Sequence, residues 1–191
     1  MLRIVLFLAT AETATEGCDV KETLWRIAAY IVSRRPVAQY LISRAQRTPY
    51  SPILGRTDDR LYMDRWWLFN PYLKDAAGQQ LPARWGWLPS IRVHHIVRPD
   101  GDEHEHNHPW FARTIILRGG YFEERRQEYA GWRLRWRGFT QSIDPTVCHR
   151  ITNVSEGGAY TLFFTWGQSQ GWGFKVGYRV VPWREYLGEA A

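Results

Sequence analysis

The sequence predicts an all-β domain, a sandwich or barrel of short antiparallel strands, preceded by an α-helical extension. Three observations support this fold class. The chain has 191 residues, 45% of them hydrophobic, which is enough for one domain with a buried core. Residues 21–47 carry apolar side chains at helical spacing. From residue 91 onward the sequence divides into short β-branched and aromatic runs separated by turn residues.

Two helices are predicted in the segment KETLWRIAAYIVSRRPVAQYLISRAQR. The apolar positions of its first half are Leu24, Ile27, Ala28, Ile31 and Val32. They recur three and four residues apart, as on one face of a helix. Pro36 suits the first turn of a second helix, where its missing N–H leaves no hydrogen bond unmade. We therefore expect a helical extension over residues 1–50 and a barrel domain over residues 51–191.

The strand prediction rests on the segment that follows. Residues 48–90 are rich in Pro, Gly and aromatic residues, which indicates irregular structure and short strands. Within them, Asp64-Arg65-Trp66-Trp67 is interpreted as a packing and ion-pair element that anchors the N-terminal segment on the barrel. The later strand-like runs are IRVHHIVRP, ARTIILRGGYFEE, GWRLRWRGFT, HRITN, AYTLFFTW and GYRVVPW. Because no helical segment separates these runs, they favour a sandwich or barrel.

The charge distribution leaves two interpretations of the N-terminal half open. The formal net charge is +6, and residues 23–57 contain six arginines and no acidic residue. The basic 26–56 segment is either a contact surface for nucleic acid or an anionic membrane, or a solvated helix face. No nucleic-acid-binding motif accompanies it.

The sequence also bears on the compartment of the protein. No apolar run approaches 18 residues, so no membrane-spanning helix is predicted. The N-terminal MLRIVLFLATAETATEG has an apolar run, residues 4–9, that is shorter than a usual signal-peptide core. Two cysteines, Cys18 and Cys148, are too few for a disulfide framework. A cytoplasmic location is expected, with export as the alternative.

The stretch HEHNHPW, residues 104–110, carries the clearest chemical signal. In a strand, alternate residues share a face, so His104, His106 and His108 would project together. Imidazole is the commonest protein ligand of the first-row transition metals, and an H-x-H pair brings two ring nitrogens to one ion. A third ligand must come from elsewhere in the fold, and His149 begins another strand-like run.

These residues resemble the two motifs of the cupin superfamily. The first motif is H-x-H followed by Glu and then Gly. It is matched at His106, His108 and Gly120, with Arg113 at the position of the Glu. The second is matched by Pro145, His149 and Asn153. The likeness covers residues 90–166 and implies a jelly-roll barrel, the double-stranded β-helix, built from antiparallel strands.

A more detailed resemblance covers residues 25–187. HNHPW followed by ARTIILRGGY is similar to the HDHPW…ILxGGY pattern of uncharacterised cupin-like proteins of bacteria and their phages. The segments RAQRTPY, RWWLFNP, SIRVHHI and VPWREYL resemble that group too. This likeness implies a fold and no assigned reaction.

One departure from the cupin motif shapes the expected site. Arg113 stands where most cupins have a Glu ligand, and a guanidinium has no lone pair for a metal. The resemblance therefore implies a site of three histidines, similar to cysteine dioxygenase-like cupins that hold Fe(II). The expected ligands are His106, His108 and His149, with His104 as the alternative from the other H-x-H register. Fe(II) is the expected divalent metal, and Zn, Ni and Mn are alternatives.

Two further residues are predicted to act at this site. Arg113 would orient a small anionic substrate, and Tyr121 would line the cavity as a second catalytic candidate. The alternative for Arg113 is an outward-facing strand residue paired with Glu123 or Glu124.

The expected function is that of a non-haem Fe(II)-type oxygenase acting on a small anionic molecule. The alternative is a non-catalytic module that binds a small ligand, including a phage-encoded one for a nucleotide-like ligand. Cupin barrels often pair edge to edge, so the resemblance also implies a homodimer. His94 and His95 would point to opposite faces of their strand, and each is interpreted as structural.

Overall fold

Antiparallel strands form the body of the protein in the computed structural model, which describes residues 19–55, 58–76, 80–168 and 170–188. The N-terminal helices are α1 (Val20–Val32) and α2 (Arg35–Ala45). The first five strands are β1 (Pro49–Leu54), β2 (Leu61–Phe69), β3 (Tyr72–Lys74), β4 (Gln80–Ala83) and β5 (Ser90–Ile96). The next five are β6 (Trp110–Arg118), β7 (Gly120–Glu124), β8 (Trp132–Trp136), β9 (Thr140–Ile143) and β10 (Arg150–Val154). The chain continues with β11 (Ala159–Gln168), β12 (Gly173–Val176), β13 (Arg179–Pro182) and α3 (Trp183–Tyr186).

Two facing sheets make the barrel. Within the described residues, the larger sheet has the order β1-β2-β5-β11-β6-β9 and the smaller one β10-β7-β8, and all their pairings are antiparallel. Gly119 joins β6 of the larger sheet to β7 of the smaller one. It has a φ of 68°, and a Cβ there would lie 2.2 Å from the carbonyl oxygen of Gly158. The predicted all-β barrel of antiparallel strands with an N-terminal helical extension is confirmed.

The two helices form where the sequence predicts them, but Leu24, Ile27 and Ile31 of the expected apolar face of α1 are exposed, and α1 packs through Trp25, Ala29 and Val32 instead. Asp19 caps α1, since its Oδ1 accepts a hydrogen bond from the backbone N of Lys21 at 3.0 Å. Pro36 lies in the first turn of α2. Both helices pack on the outer face of the larger sheet. The buried residues of this contact are Ala29, Ala38, Ile42, Ala45, Val93, Ile115, Leu117, Tyr160 and Leu162.

The alternation of strand residues separates two kinds of surface. On β5, Arg92 and His94 face the cavity between the sheets, whereas Val93 packs toward the helices. On β6, Thr114 faces the cavity and Ile115 faces the helices. Strands β5 and β6 therefore each supply the site with one set of residues and the helical layer with the other.

Arg113 belongs to the helical side, so the expectation that it lies beside the metal is wrong. Its side chain is 4% exposed and does not line the cavity. The guanidinium forms an ion pair with Glu22, donates to Thr140 Oγ1 at 3.3 Å and lies 4.9 Å from the ring of Trp25. The outward-facing alternative is correct, but its partner is Glu22 from α1 and not Glu123.

The basic segment and the N-terminus are described in part. Residues 1–18, with Cys18 and the apolar run at 4–9, lie outside the described residues, and so does Arg56. The other arginines of the basic segment, all exposed, are Arg26, Arg34, Arg35, Arg44 and Arg47. No helix in the described ranges is long and apolar enough to cross a membrane. Contact with an anionic partner stays a prediction.

The pairing of Arg113 with Glu22 predicts how α1 is held on the sheet. Removing the carboxylate leaves a buried guanidinium without its counter-charge. We expect Glu22→Ala to lower the free energy of unfolding by about 1–2 kcal/mol, below the value for a fully buried pair because Glu22 is 40% exposed. Urea unfolding measures this change. As a control, Lys21→Ala should shift the value by less than about 0.5 kcal/mol, and equal effects of the two substitutions would contradict the assignment.

Candidate metal centre

Three histidines converge at one end of the cavity. His106, His108 and His149 each present one ring nitrogen, and these nitrogens all lie within 4.8 Å of one another. The Nε2 atoms of His108 and His149 are 2.7 Å apart. Three ring nitrogens this near to one another are within reach of one first-row ion, whose ligand bonds are about 2.0–2.1 Å long. The structure thus brings together the three residues that the sequence nominated.

Backbone pairing sets the position of the H-x-H segment. The N–H of His106 donates to the carbonyl of His149, and the N–H of His149 donates to the carbonyl of His106, both at 2.9 Å. On its other side, Asn107 donates from its backbone N to Gly173 O at 3.1 Å and accepts from Gly173 N at its Oδ1 at 2.8 Å. The segment was predicted to be a strand; it is an extended connection held by isolated pairings, and β6 begins only at Trp110.

A buried carboxylate orients His149. Glu123 is fully buried, and its Oε1 lies 2.8 Å from His149 Nδ1. A hydrogen bond from Nδ1–H leaves Nε2 as the lone-pair nitrogen that faces the other two histidines. Burial acts to raise the pKa of Glu123, but the hydrogen bond and charge of His149, together with Arg125, hold it well below its usual value. Glu123 therefore stays a carboxylate.

Burial also keeps the imidazoles of His106 and His108 neutral. It lowers the pKa of His106 to about 4, partly offset by the charge of Asp100, whose Oδ2 lies 3.7 Å from His106 Nδ1. It lowers the pKa of His108 well below the usual value, and the neighbouring His149 and His106 act in the same direction. Neutral imidazole is the form that binds a metal ion.

The three histidines open onto a cavity of about 260 Å³ between the sheets. Its walls are mostly apolar and aromatic, with contributions from β2, β5, β6, β7, β9, β10 and β11. Two guanidinium groups, those of Arg65 and Arg92, line it as well. No Asp or Glu side chain is among its described lining residues. The cavity is thus small, largely apolar and positively charged.

The other histidines and Tyr121 lie in different parts of the structure. His104 lies outside the cluster, because its Nδ1 is 3.0 Å from the hydroxyl of Tyr186. Tyr121 lines the cavity from β7, and burial raises its pKa, as does the charge of Glu123. His94 faces the cavity, whereas the ring of His95 stacks on Tyr160 with centroids 4.0 Å apart.

Sequence reasoning missed three polar residues of the site. Glu123 was considered only as a partner of Arg113, and Arg65 only as part of an anchoring element. Arg92 was not singled out. The alternation of side chains along a strand could have indicated two of them. Arg92 shares a strand face with His94, and Glu123 shares one with Tyr121. That signal becomes informative only once the cavity face of each strand is known.

Comparisons with known proteins show distant likeness of fold. No family model matches the chain, and no curated protein sequence matches it. Among solved structures, the DMSP lyase structures RdDddP and RnDddQII give a TM-score of 0.47 at 16% identity over 74% of this chain and 77% of that chain. Oxalate oxidase in complex with glycolate gives 0.41 at 19% identity, covering 64% and 59%.

A third similar structure is hydroxypropylphosphonic acid epoxidase from S. wedmorenis. It gives a TM-score of 0.39 at 15% identity over 61% of this chain and 55% of that chain. The chain thus spans little more than half the length of the epoxidase and of oxalate oxidase. What the site of this protein does must be derived from its own side chains.

Proposed function

We propose that the protein is a metal-dependent enzyme, of the non-haem Fe(II) oxygenase type, that acts on a small anionic molecule. The observation that carries the proposal is the convergence of His106, His108 and His149 on the cavity between the sheets, with Nδ1 of His149 held by Glu123. Three histidine ligands would leave coordination positions open for substrate. When bound, a divalent ion would supply Lewis-acid or redox chemistry at that end of the cavity.

The protein's own residues have four tasks in this proposal. Neutral imidazoles of His106 and His108 provide lone pairs, and Glu123 fixes the tautomer of His149. The apolar walls exclude water, which strengthens electrostatic interactions inside the cavity. Arg65 and Arg92 supply positive charge that favours an anionic substrate. Tyr121, protonated because burial raises its pKa, is available as a hydrogen-bond donor to substrate.

Metal analysis of purified protein tests the ligand set. We expect one equivalent of a divalent metal in the wild-type protein and loss of most of it in His106→Ala, His108→Ala and His149→Ala. His104→Ala is the matched control, because its ring contacts Tyr186 and not the cluster, and it should keep the full equivalent. A full equivalent in His149→Ala would rule out this ligand set. Oxygen uptake by iron-loaded protein with a panel of small acids then separates an enzyme from a module that only binds.

The contact of Glu123 with His149 predicts a second effect on the metal. Glu123→Gln keeps a hydrogen-bond acceptor but removes the charge that increases the basicity of His149. We expect metal affinity to fall by about 10–100-fold, the usual cost of losing such a partner. The neighbouring Glu124→Gln, whose side chain is partly exposed and pairs with Arg150, should leave the affinity within about twofold. Competition with a chromogenic chelator measures both, and identical affinities for the two variants would remove Glu123 from the site.

Neutral buried imidazoles also predict acid sensitivity of the metal-free protein. His94, His106 and His108 have pKa values below 6.5 when folded, so below that pH the unfolded chain binds more protons. Stability should therefore fall as the pH drops from 6.5 to 5, by about 1.4 kcal/mol per pH unit for each histidine that stays neutral. Urea unfolding in the presence of a chelator measures the slope. A stability that is flat over this interval would contradict the buried neutral state.

A further inference from the structure

Arg92 is a buried cation that has aromatic neighbours and, among the described residues, no carboxylate partner. Its residue is 2% exposed, and the guanidinium carbon lies between 5.2 and 5.7 Å from four ring centroids. The rings are those of Trp67, Tyr72, Trp110 and Phe163. Cation–π contacts offset part of the cost of burying the charge. They do not supply the directed acceptors that five N–H groups require.

The hydrogen bonding of this guanidinium is incomplete. Nη2 donates to Thr165 Oγ1 at 3.4 Å, which is a long contact, and Nε has no partner among the described residues. Two positions along the same strand face, His94 Nε2 is also buried and without a partner. Both residues line the cavity. Unpaired polar atoms in a protein interior are uncommon because each costs free energy, so two neighbours that face one cavity indicate a missing ligand.

Other buried or half-buried arginines of the described chain show what Arg92 lacks. Each of them has a carboxylate oxygen within 4.0 Å: Arg98 with Asp58, Arg113 with Glu22, Arg125 and Arg135 with Glu123, and Arg150 with Glu124. Within the described part of the chain, no such pair involves Arg92 or Arg65, the two described arginines that line the cavity. The buried and half-buried arginines outside the cavity are thus paired with carboxylates, whereas the two described arginines that line the cavity are not.

The position of Arg92 relates it to the three histidines. The ring of Phe163 lies 5.5 Å from the Arg92 carbon and 6.0 Å from the centroid of His108, so one side chain separates the two groups. A ligand of a few atoms can therefore reach from the histidine cluster to the guanidinium along the apolar wall.

We propose that Arg92 and His94 form an oxyanion-binding subsite, which takes the carboxylate or phosphoryl group of a small ligand whose other end faces the three histidines. This inference deepens the proposed function and rests on it for the ligand's second contact. The guanidinium donates two hydrogen bonds to the oxyanion, with Nε–H as one donor. His94 donates from Nε2 in the tautomer that carries the proton there. Arg92 thus takes the role that the sequence assigned to Arg113.

Titration calorimetry of the metal-loaded, full-length protein tests the subsite. The probes are sodium acetate, sodium propionate and inorganic phosphate, which separate a carboxylate site from a phosphoryl site. We expect saturable binding of at least one probe and, in Arg92→Gln, affinity weaker by about tenfold or more because charged hydrogen bonds are lost. Arg92→Lys should retain part of the affinity. Arg118→Gln removes the same charge from an exposed side chain that lies over the ring of Tyr160, and it should bind like the wild type.

The outcomes separate this inference from the proposed function. Absence of binding by all three probes, or affinities within twofold for Arg92→Gln and the wild type, would overturn the subsite. If Arg92→Gln does not fold, a crystal structure of the wild-type protein with the tightest probe decides, because the oxyanion must lie within hydrogen-bond distance of Arg92. Metal content is measured on the same samples. A full equivalent of metal without Arg92-dependent binding would support the metal site and contradict the subsite. Arg92-dependent binding without metal would support the subsite and contradict the metal site.

Discussion

The buried carboxylate of Glu123 is the interaction on which the architecture of the site depends. It lies on β7 and accepts hydrogen bonds from His149 immediately before β10, from Arg135 on β8 and from Gln141 on β9. Because β9 belongs to the larger sheet and β7 to the smaller one, this single group connects the two layers of the barrel. A carboxylate withdrawn from water is tolerated only when nearly all its acceptor capacity is used. Any shift of one sheet against the other would leave it unsatisfied.

This constraint extends to the histidine cluster through the backbone. Reciprocal hydrogen bonds join His106 to His149, so the connection before β6 takes its position from the strand that Glu123 already holds. His108 follows two residues later and places its ring against that of His149. The positions of the three imidazoles are therefore set by contacts outside the cluster itself.

The arginines on the two faces of the larger sheet have different surroundings. On the outer face, Arg113 forms an ion pair with Glu22 and so holds α1. On the inner face, Arg92 is surrounded by aromatic rings and has no carboxylate partner among the described residues. The same residue type is thus structural in one place and unpaired in another, and the difference comes from what lies opposite each face. A positively charged cavity beside neutral imidazoles favours an anion next to a cation, so binding of each should favour the other by thermodynamic linkage.

The sequence by itself determined the fold class, the paired helices around Pro36 and the identity of the three convergent histidines. These follow from local rules: the periods of 3.6 and 2, proline's missing N–H, and a motif whose spacing resembles that of cupins. Only the tertiary structure decided which face of each strand is inside. That choice depends on where the helices and the second sheet lie, and a shift of one residue reverses every side chain of a strand. For this reason Arg113 could not be separated from Arg92 in the sequence, and Glu123 gave no sign that it would be buried against His149.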